Sequence, residues 1–199
     1  MKNSKIVLAS NNQGKVREIS QMVKNLELEI VPQSDYNVSE IEETGLTFVE
    51  NAILKARHAS KVTGLPAIAD DSGIEVDFLN GAPGIYSARY SGVGASDKDN
   101  LDKMLLALKD VPTEKRSARF QCLMVFMRHA NDPTPFIAHG TWQGTITELP
   151  EGENGFGYDP VFYVKDFNCT SAQLPADTKN TLSHRGQALK KLITFFGDL

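Results

Sequence analysis

No apolar run in the 199-residue sequence approaches the roughly 20 residues that a membrane-spanning helix requires. The apolar stretch near the start, Ile6 to Ala9, is far too short for the core of a signal peptide. Cysteine is scarce: Cys122 and Cys169 have no spacing of a disulfide framework. Cys122 lies in an apolar segment and reads as a buried small hydrophobe. A basic excess is also missing. Lys and Arg number 21 against 25 Asp and Glu, a formal net charge of −4, which argues against a duplex-binding surface. A local basic pocket for a small phosphorylated ligand stays open. There is no internal repeat, low-complexity tract or long linker. The expectation is a soluble, cytoplasmic, reduced protein with neither membrane nor nucleic acid as partner. With 41% hydrophobic and 23% charged residues, 1–199 reads as a single domain with a core of its own and room for two lobes.

What stands out is Ala67-Ile68-Ala69-Asp70-Asp71-Ser72-Gly73, an apolar run ending in two adjacent carboxylates, a hydroxyl and a glycine. Neighbouring side chains on a strand point to opposite faces, so the two acids diverge unless the chain bends, which Gly73 permits. Ordinary turn chemistry fits this stretch. So does a Mg²⁺ site, because that hard cation prefers carboxylate oxygens. One acid would bind metal while the other orients or deprotonates a water.

Lys5 to Ala9 suits a buried strand that runs into Ser10-Asn11-Asn12-Gln13-Gly14-Lys15 and then a helix carrying Val16, Ile19, Met22 and Val23 on one face. Strand, polar loop and helix present backbone N–H groups to an anion, and Lys15 adds a charge; a plain N-cap and turn fits equally. Leu26 to Val31 reads as a second strand. The acidic Ser39 to Gly45 reads as a solvated loop, or as the source of a second metal-binding Glu beside Asp71. Thr47 and Glu50 predict a capping box opening a helix that ends near Gly64 and bears Lys55. Ile74 to Phe78 alternates as a strand, and Tyr86, Arg89 and Tyr90 suit an interface. Ser96 opens a helix. Phe120 to Met127 is a central strand and Phe136 to Trp142 returns antiparallel, so the sheet is mixed. Gly155 and Gly157 flank an exposed Phe156, which suits a ring stacked on a planar ligand or a mobile loop. Val161 to Val164 closes the sheet. Ser183 caps a last helix whose first turn holds His184 and Arg185, cations that the helix dipole disfavours there. A local rule broken in this way marks a functional site.

Together these segments resemble the inosine triphosphate pyrophosphatase family and its bacterial dITP/XTP pyrophosphatases. The likeness rests on Ser10 to Lys15, Glu42-Glu43-Thr44-Gly45, Phe48 with Glu50-Asn51-Ala52, Ala69 to Gly73, Gly84 to Arg89, Gly155 to Pro160 and Ser183 to Gly186. The one departure is Ser10-Asn11-Asn12, where members often carry Thr-Gly-Asn or Thr-His-Asn. The resemblance implies an α/β fold: an elongated mixed β-sheet flanked by helices, two lobes and a central active-site cleft. It implies a homodimer that uses Mg²⁺ to hydrolyse ITP, dITP or XTP to the monophosphate and pyrophosphate. A nucleotide sensor without turnover is the alternative, which the acids Glu42, Asp70 and Asp71 argue against. By the same resemblance Ser10, Asn11, Asn12, Gln13, Gly14 and Lys15 would hold the triphosphate with Lys55 and Lys179. Asp71 would be the catalytic acid/base and a metal ligand, Glu42 a further ligand and Ser72 a substrate contact. Phe156, Gly157, Tyr158 and Asp159 would line the nucleoside pocket, and His184 and Arg185 would address the base.

Overall fold

The computed structural model describes residues 5–23 and 29–197. The strands are β1 (Lys5–Leu8), β2 (Glu29–Pro32), β3 (Ala67–Val76), β4 (Ser117–Met127), β5 (Phe136–Ile146), β6 (Phe162–Val164) and β7 (Cys169–Thr170). The helices are α1 (Gln13–Val23), α2 (Phe48–Thr63), α3 (Asp97–Ala107), α4 (Ala176–Leu182) and α5 (His184–Gly197). The strands form one sheet in the order β2-β1-β3-β4-β5-β6-β7. β1 pairs parallel with β2 and β3, whereas β6 pairs antiparallel with β5 and β7, so the sheet is mixed. No helix among the described residues is long and apolar enough to cross a membrane.

Two compact units share the chain. The first holds the described residues up to Asp71, then Cys122–Gly140 and the chain from Arg185; the second holds Ser72–Gln121 and Thr141–His184. The first unit sorts its strand residues strictly by parity. Ile6, Leu8, Ile68, Cys122, Met124 and Phe126 pack with Ile19 of α1 and Leu189 and Leu192 of α5. Val7, Ala9, Ala67, Ala69, Val125 and Met127 pack with Ala52, Ala56 and Ala59 of α2. This is the period-two alternation of strands buried on both faces. The alanine row leaves α2 no bulk on its inner face, which lets the helix lie close to the sheet. In the second unit Ile74 and Val76 join Met104, Leu108, Trp142, Tyr158 and Phe162 in a separate core.

Helix ends follow local chemistry. Ser96 and Asp99 form a full capping box at α3. At α2, Thr47 Oγ1 accepts the Glu50 N–H, and the Glu50 carboxylate accepts the Leu46 N–H and the Thr47 hydroxyl in return. Gly64 ends α2 with a left-handed φ of 70°. Three expectations change. The Asp-Asp stretch is no turn: β3 runs unbroken from Ala67 to Val76. β3 stops before Phe78, which lies in a 3-10 turn. Of the Leu26 to Val31 strand, Glu29 onward is in β2 and Leu26 to Leu28 lie outside the described residues.

Candidate active site

Because β3 runs continuously through them, Asp70 and Asp71 leave it on opposite sides. Asp70 follows the parity of Ile68, toward α1 and α5; Asp71 follows Ala67 and Ala69, toward α2. Each acid meets a lysine there. Lys15 Nζ lies 3.0 Å from Asp70 Oδ2, and Lys55 Nζ lies 2.9 Å from Asp71 Oδ1.

The Asp70 side chain is 0% exposed and that of Asp71 8%, so Asp71 is the acid that a water or ligand can reach. Burial pushes the Asp70 carboxyl up, but Lys15 and Arg185 outweigh it and hold the group well below the usual carboxylate range. Burial also pushes the Asp71 carboxyl up, and there Lys55 and Lys15 offset the rise only in part. A carboxylate with a raised pKa is the better proton acceptor, which suits a general base.

Arg185 is buried in the first turn of α5, with its guanidinium paired to Glu18 and 3.6 Å from Asp70 Oδ2. Two carboxylates thus compensate the cation that the helix dipole disfavours. His184 stacks on Phe120 at 4.7 Å between ring centroids, within the second unit.

Before α1, Asn12 Oδ1 accepts the Lys15 N–H at 3.0 Å, the bond of an N-cap. Gln13 and Gly14 consequently sit in the first turn of α1 instead of in a loop. The Asn12 N–H reaches Ser10 Oγ at 3.3 Å. Asn11, the point of departure from the family pattern, accepts from Gln33 Nε2 at 2.7 Å and donates to Glu40 Oε1 at 2.8 Å.

Of the adjacent pair Glu42 and Glu43 in the acidic loop, Glu43 is the one brought to Lys55, 2.8 Å from its Nζ; Glu42 is exposed. Asn51, fully buried on α2, accepts the Gly45 N–H at 2.8 Å, and its Nδ2 lies 3.4 Å from Asp71 Oδ2. That a Glu of this loop would stand beside Asp71 was legible in the sequence, but not which one, and the role of Asn51 was not. The available signal for Asn51 was a polar side chain beside the alanine row of α2.

The second unit organises the Phe156 loop around one carboxylate. Asp159 is buried; its Oδ2 accepts the Phe156 N–H at 2.8 Å and Lys179 Nζ at 2.6 Å, and its Oδ1 accepts from Ser171 Oγ at 2.6 Å. Lys179 stands over the Phe156 ring, 5.1 Å from its centroid. Gly155 has φ +81°, and a Cβ there would lie 2.0 Å from Asp159 Oδ2. The Gly157 N–H donates to Asp97 Oδ2 at 2.8 Å, a tether from α3 that the sequence did not suggest. Tyr158 is a core residue whose hydroxyl donates to the Ser87 carbonyl at 2.8 Å. Phe156 and Ser72 are partly exposed.

A family model described as the Ham1 family matches residues 6–195. The chain belongs to the Ham1 family. A relative named dITP/XTP pyrophosphatase, from Vibrio cholerae serotype O1, is 62% identical over 94% of this chain and 94% of its own. One of the same name from Photobacterium profundum is 59% identical over 98% and 99%. Among solved structures, a HAM1 protein from Coxiella burnetii shares 50% identity at a TM-score of 0.92, covering 98% of this chain and 100% of its own. The Ham1 protein of Staphylococcus aureus shares 42% at 0.86, covering 98% and 99%. The Ham1 fold carries all the site residues described, since every one lies within 6–195.

Proposed function

We propose that this chain is a dITP/XTP pyrophosphatase: it hydrolyses deaminated purine nucleoside triphosphates to the monophosphate and pyrophosphate, and so keeps them out of DNA and RNA. One observation carries the reading. Two adjacent acids on one continuous strand each engage a lysine, one acid buried as an anchor and the other reachable as a base. The names of relatives about 60% identical agree with it.

In this reading Asp71 takes a proton from a water attacking the α-phosphorus. The bond from that phosphorus to the bridging oxygen breaks, and pyrophosphate leaves with the electron pair. Lys15 and Lys55 neutralise charge growing on the phosphate oxygens, with Ser10, Asn12 and the N-terminus of α1 holding the chain of phosphates. Asp70 positions Lys15 and does not touch the substrate. Asp71 and Glu43 converge on one ammonium, an all-oxygen pair that fits Mg²⁺. No group of three or more acid, His or Cys ligands gathers among the described residues. Mg²⁺ would therefore be held by these two carboxylates, with exposed Glu42 as the reserve ligand from the same loop, and with water and phosphate oxygens. Bound there, it supplies charge neutralisation to the triphosphate.

Phe156 stacks on the base, the backbone around Gly157 and the Asp159–Lys179 pair shape its pocket, Ser72 contacts the substrate, and His184 addresses the base; Arg185, buried against Glu18 and Asp70, is a structural cation in this reading. Hypoxanthine and xanthine present an acceptor at C6 and adenine a donor, so donors at this position favour the keto bases. The reading takes 1–199 as one catalytic domain of a cytoplasmic homodimer. Tyr86, 53% exposed with Arg89 over its ring, and Val93, 97% exposed, form the contact between copies.

The test is product analysis with ITP, with and without Mg²⁺. Pyrophosphate and IMP, formed only with the metal, are expected. Orthophosphate and IDP as first products, or no turnover of ITP in Mg²⁺, would overturn the reading. Sedimentation of the wild type against Val93→Asp checks the dimer.

A further inference from the structure

Lys55 has its ammonium between two carboxylates: Nζ lies 2.8 Å from Glu43 Oε1 and 2.9 Å from Asp71 Oδ1. The two acids come from different elements, the acidic loop and β3. Asn51 links the two elements: it accepts the Gly45 N–H of the loop and approaches Asp71 of β3. The approach requires a glycine, since a Cβ at Gly45 would lie 2.6 Å from Asn51 Oδ1. The loop that carries Glu43 is thus held beside Asp71 by a neutral side chain as well as by the lysine. Without a cation, two such groups repel. The cation present is a point charge on a flexible four-carbon stem, which can withdraw while the acids stay.

We propose that Lys55 is a stand-in for the metal. In the nucleotide-free protein its ammonium holds the position between Glu43 and Asp71 that Mg²⁺ takes, and the triphosphate draws it away. This rests on the Mg²⁺ reading above and adds a coupling to it. Lys55 gives up two charge-assisted hydrogen bonds only where other anionic acceptors replace them, and phosphate oxygens are such acceptors. Metal alone must expel the lysine into water, whereas metal arriving with nucleotide does not. Each ligand therefore strengthens binding of the other by the same factor. The stand-in also offsets the repulsion between the paired acids between turnovers.

The probe is Mn²⁺ alone, titrated into nucleotide-free protein and followed by the paramagnetic resonance of free Mn²⁺. Wild type is expected to bind weakly. Lys55→Met is expected to bind on the order of tenfold to a hundredfold more tightly, the effect of removing a unit charge at contact distance. Adding Glu43→Gln to Lys55→Met abolishes the gain. In wild type, acylation of the Lys55 amine by acetic anhydride, read by peptide mass spectrometry, accelerates as Mn²⁺ fills the site. If Lys55→Met binds Mn²⁺ no better than wild type, while wild type binds it together with a non-hydrolysable ITP analogue, the stand-in role is wrong and the metal reading survives. If no form binds Mn²⁺ with or without the analogue, the metal reading itself fails. Should Lys55→Met not fold, acylation decides: labelling of Lys55 unchanged up to saturating Mn²⁺ overturns the proposal.

Discussion

Two neighbouring aspartates do different work because a strand sends them to different faces. Asp71→Asn keeps the shape and the Asn51 contact but removes the proton acceptor proposed above. Turnover of ITP is expected to fall by roughly 10²-fold or more, the usual range for a general base. The midpoint of thermal unfolding should hardly move; near-normal turnover would exclude Asp71 as the base. Asp70 is a matter of stability. Its carboxylate and that of Glu18 compensate the buried Arg185. Arg185→Met leaves Asp70 buried with one cation fewer, and breaking such a buried pair costs about 3–5 kcal/mol. Urea unfolding of the variant should show that loss. A change below about 1 kcal/mol, the value of a surface pair, would mean the network is not buried in solution.

Between the strand residues and the whole chain lies the Phe156 loop, an element without regular structure but with fixed geometry. Asp159 collects Phe156, Lys179 and Ser171, and Asp97 ties down Gly157. Gly155→Ala meets both the left-handed φ and the Asp159 carboxylate. The expected result is displacement of Asp159, which frees Phe156 and Lys179 together. KM for ITP should rise about tenfold or more, in line with roughly 1–3 kcal/mol for strain at a non-glycine residue in this region. Cooperative unfolding should persist, because Phe156 and Lys179 lie outside the cores of both units and Tyr158 is the loop's one core residue among Gly155 to Asp159. An unchanged KM would show that the loop does not shape the nucleoside pocket. Asp97→Ala, which removes a single exposed tether, should give a smaller rise.

At the scale of the molecule, the core of the first unit seals Cys122, whereas Cys169 is partly exposed. Burial pushes the Cys122 thiol up to about 12. Its reactive thiolate forms only as the pH approaches that value, so the group stays protonated and inert at neutral and mildly alkaline pH. A disulfide exchange reagent at pH 8 should count one thiol in the native protein and two in denaturant. Two fast thiols in native protein would mean that the sheet opens on the time scale of labelling. The same seal supports the placement of Asp70 and Arg185, whose charges neighbour Cys122 in that interior.

Much of this was readable in the residues themselves. The continuous apolar runs Ile6 to Leu8 and Ala67 to Ala69 mark buried strands, Ser96 and Thr47 mark helix starts, and Gly64 marks a stop. These signals are local, since propensity and periodicity act between residues a few positions apart. The motif order from Ser10 to Gly186 carried the family as well. Which acid meets which lysine was not readable. Only the sheet order and the crossing of α1, α2 and α5 bring Lys15 to Asp70, Lys55 to Asp71 and Glu18 to Arg185. Only the path of the acidic loop prefers Glu43 to its neighbour Glu42. The short helix α4, which lacks an apolar stripe, likewise emerged through the contact of Lys179 with Asp159. Pairings between distant segments depend on how faces pack, and packing is a property of the whole chain that no local spacing records.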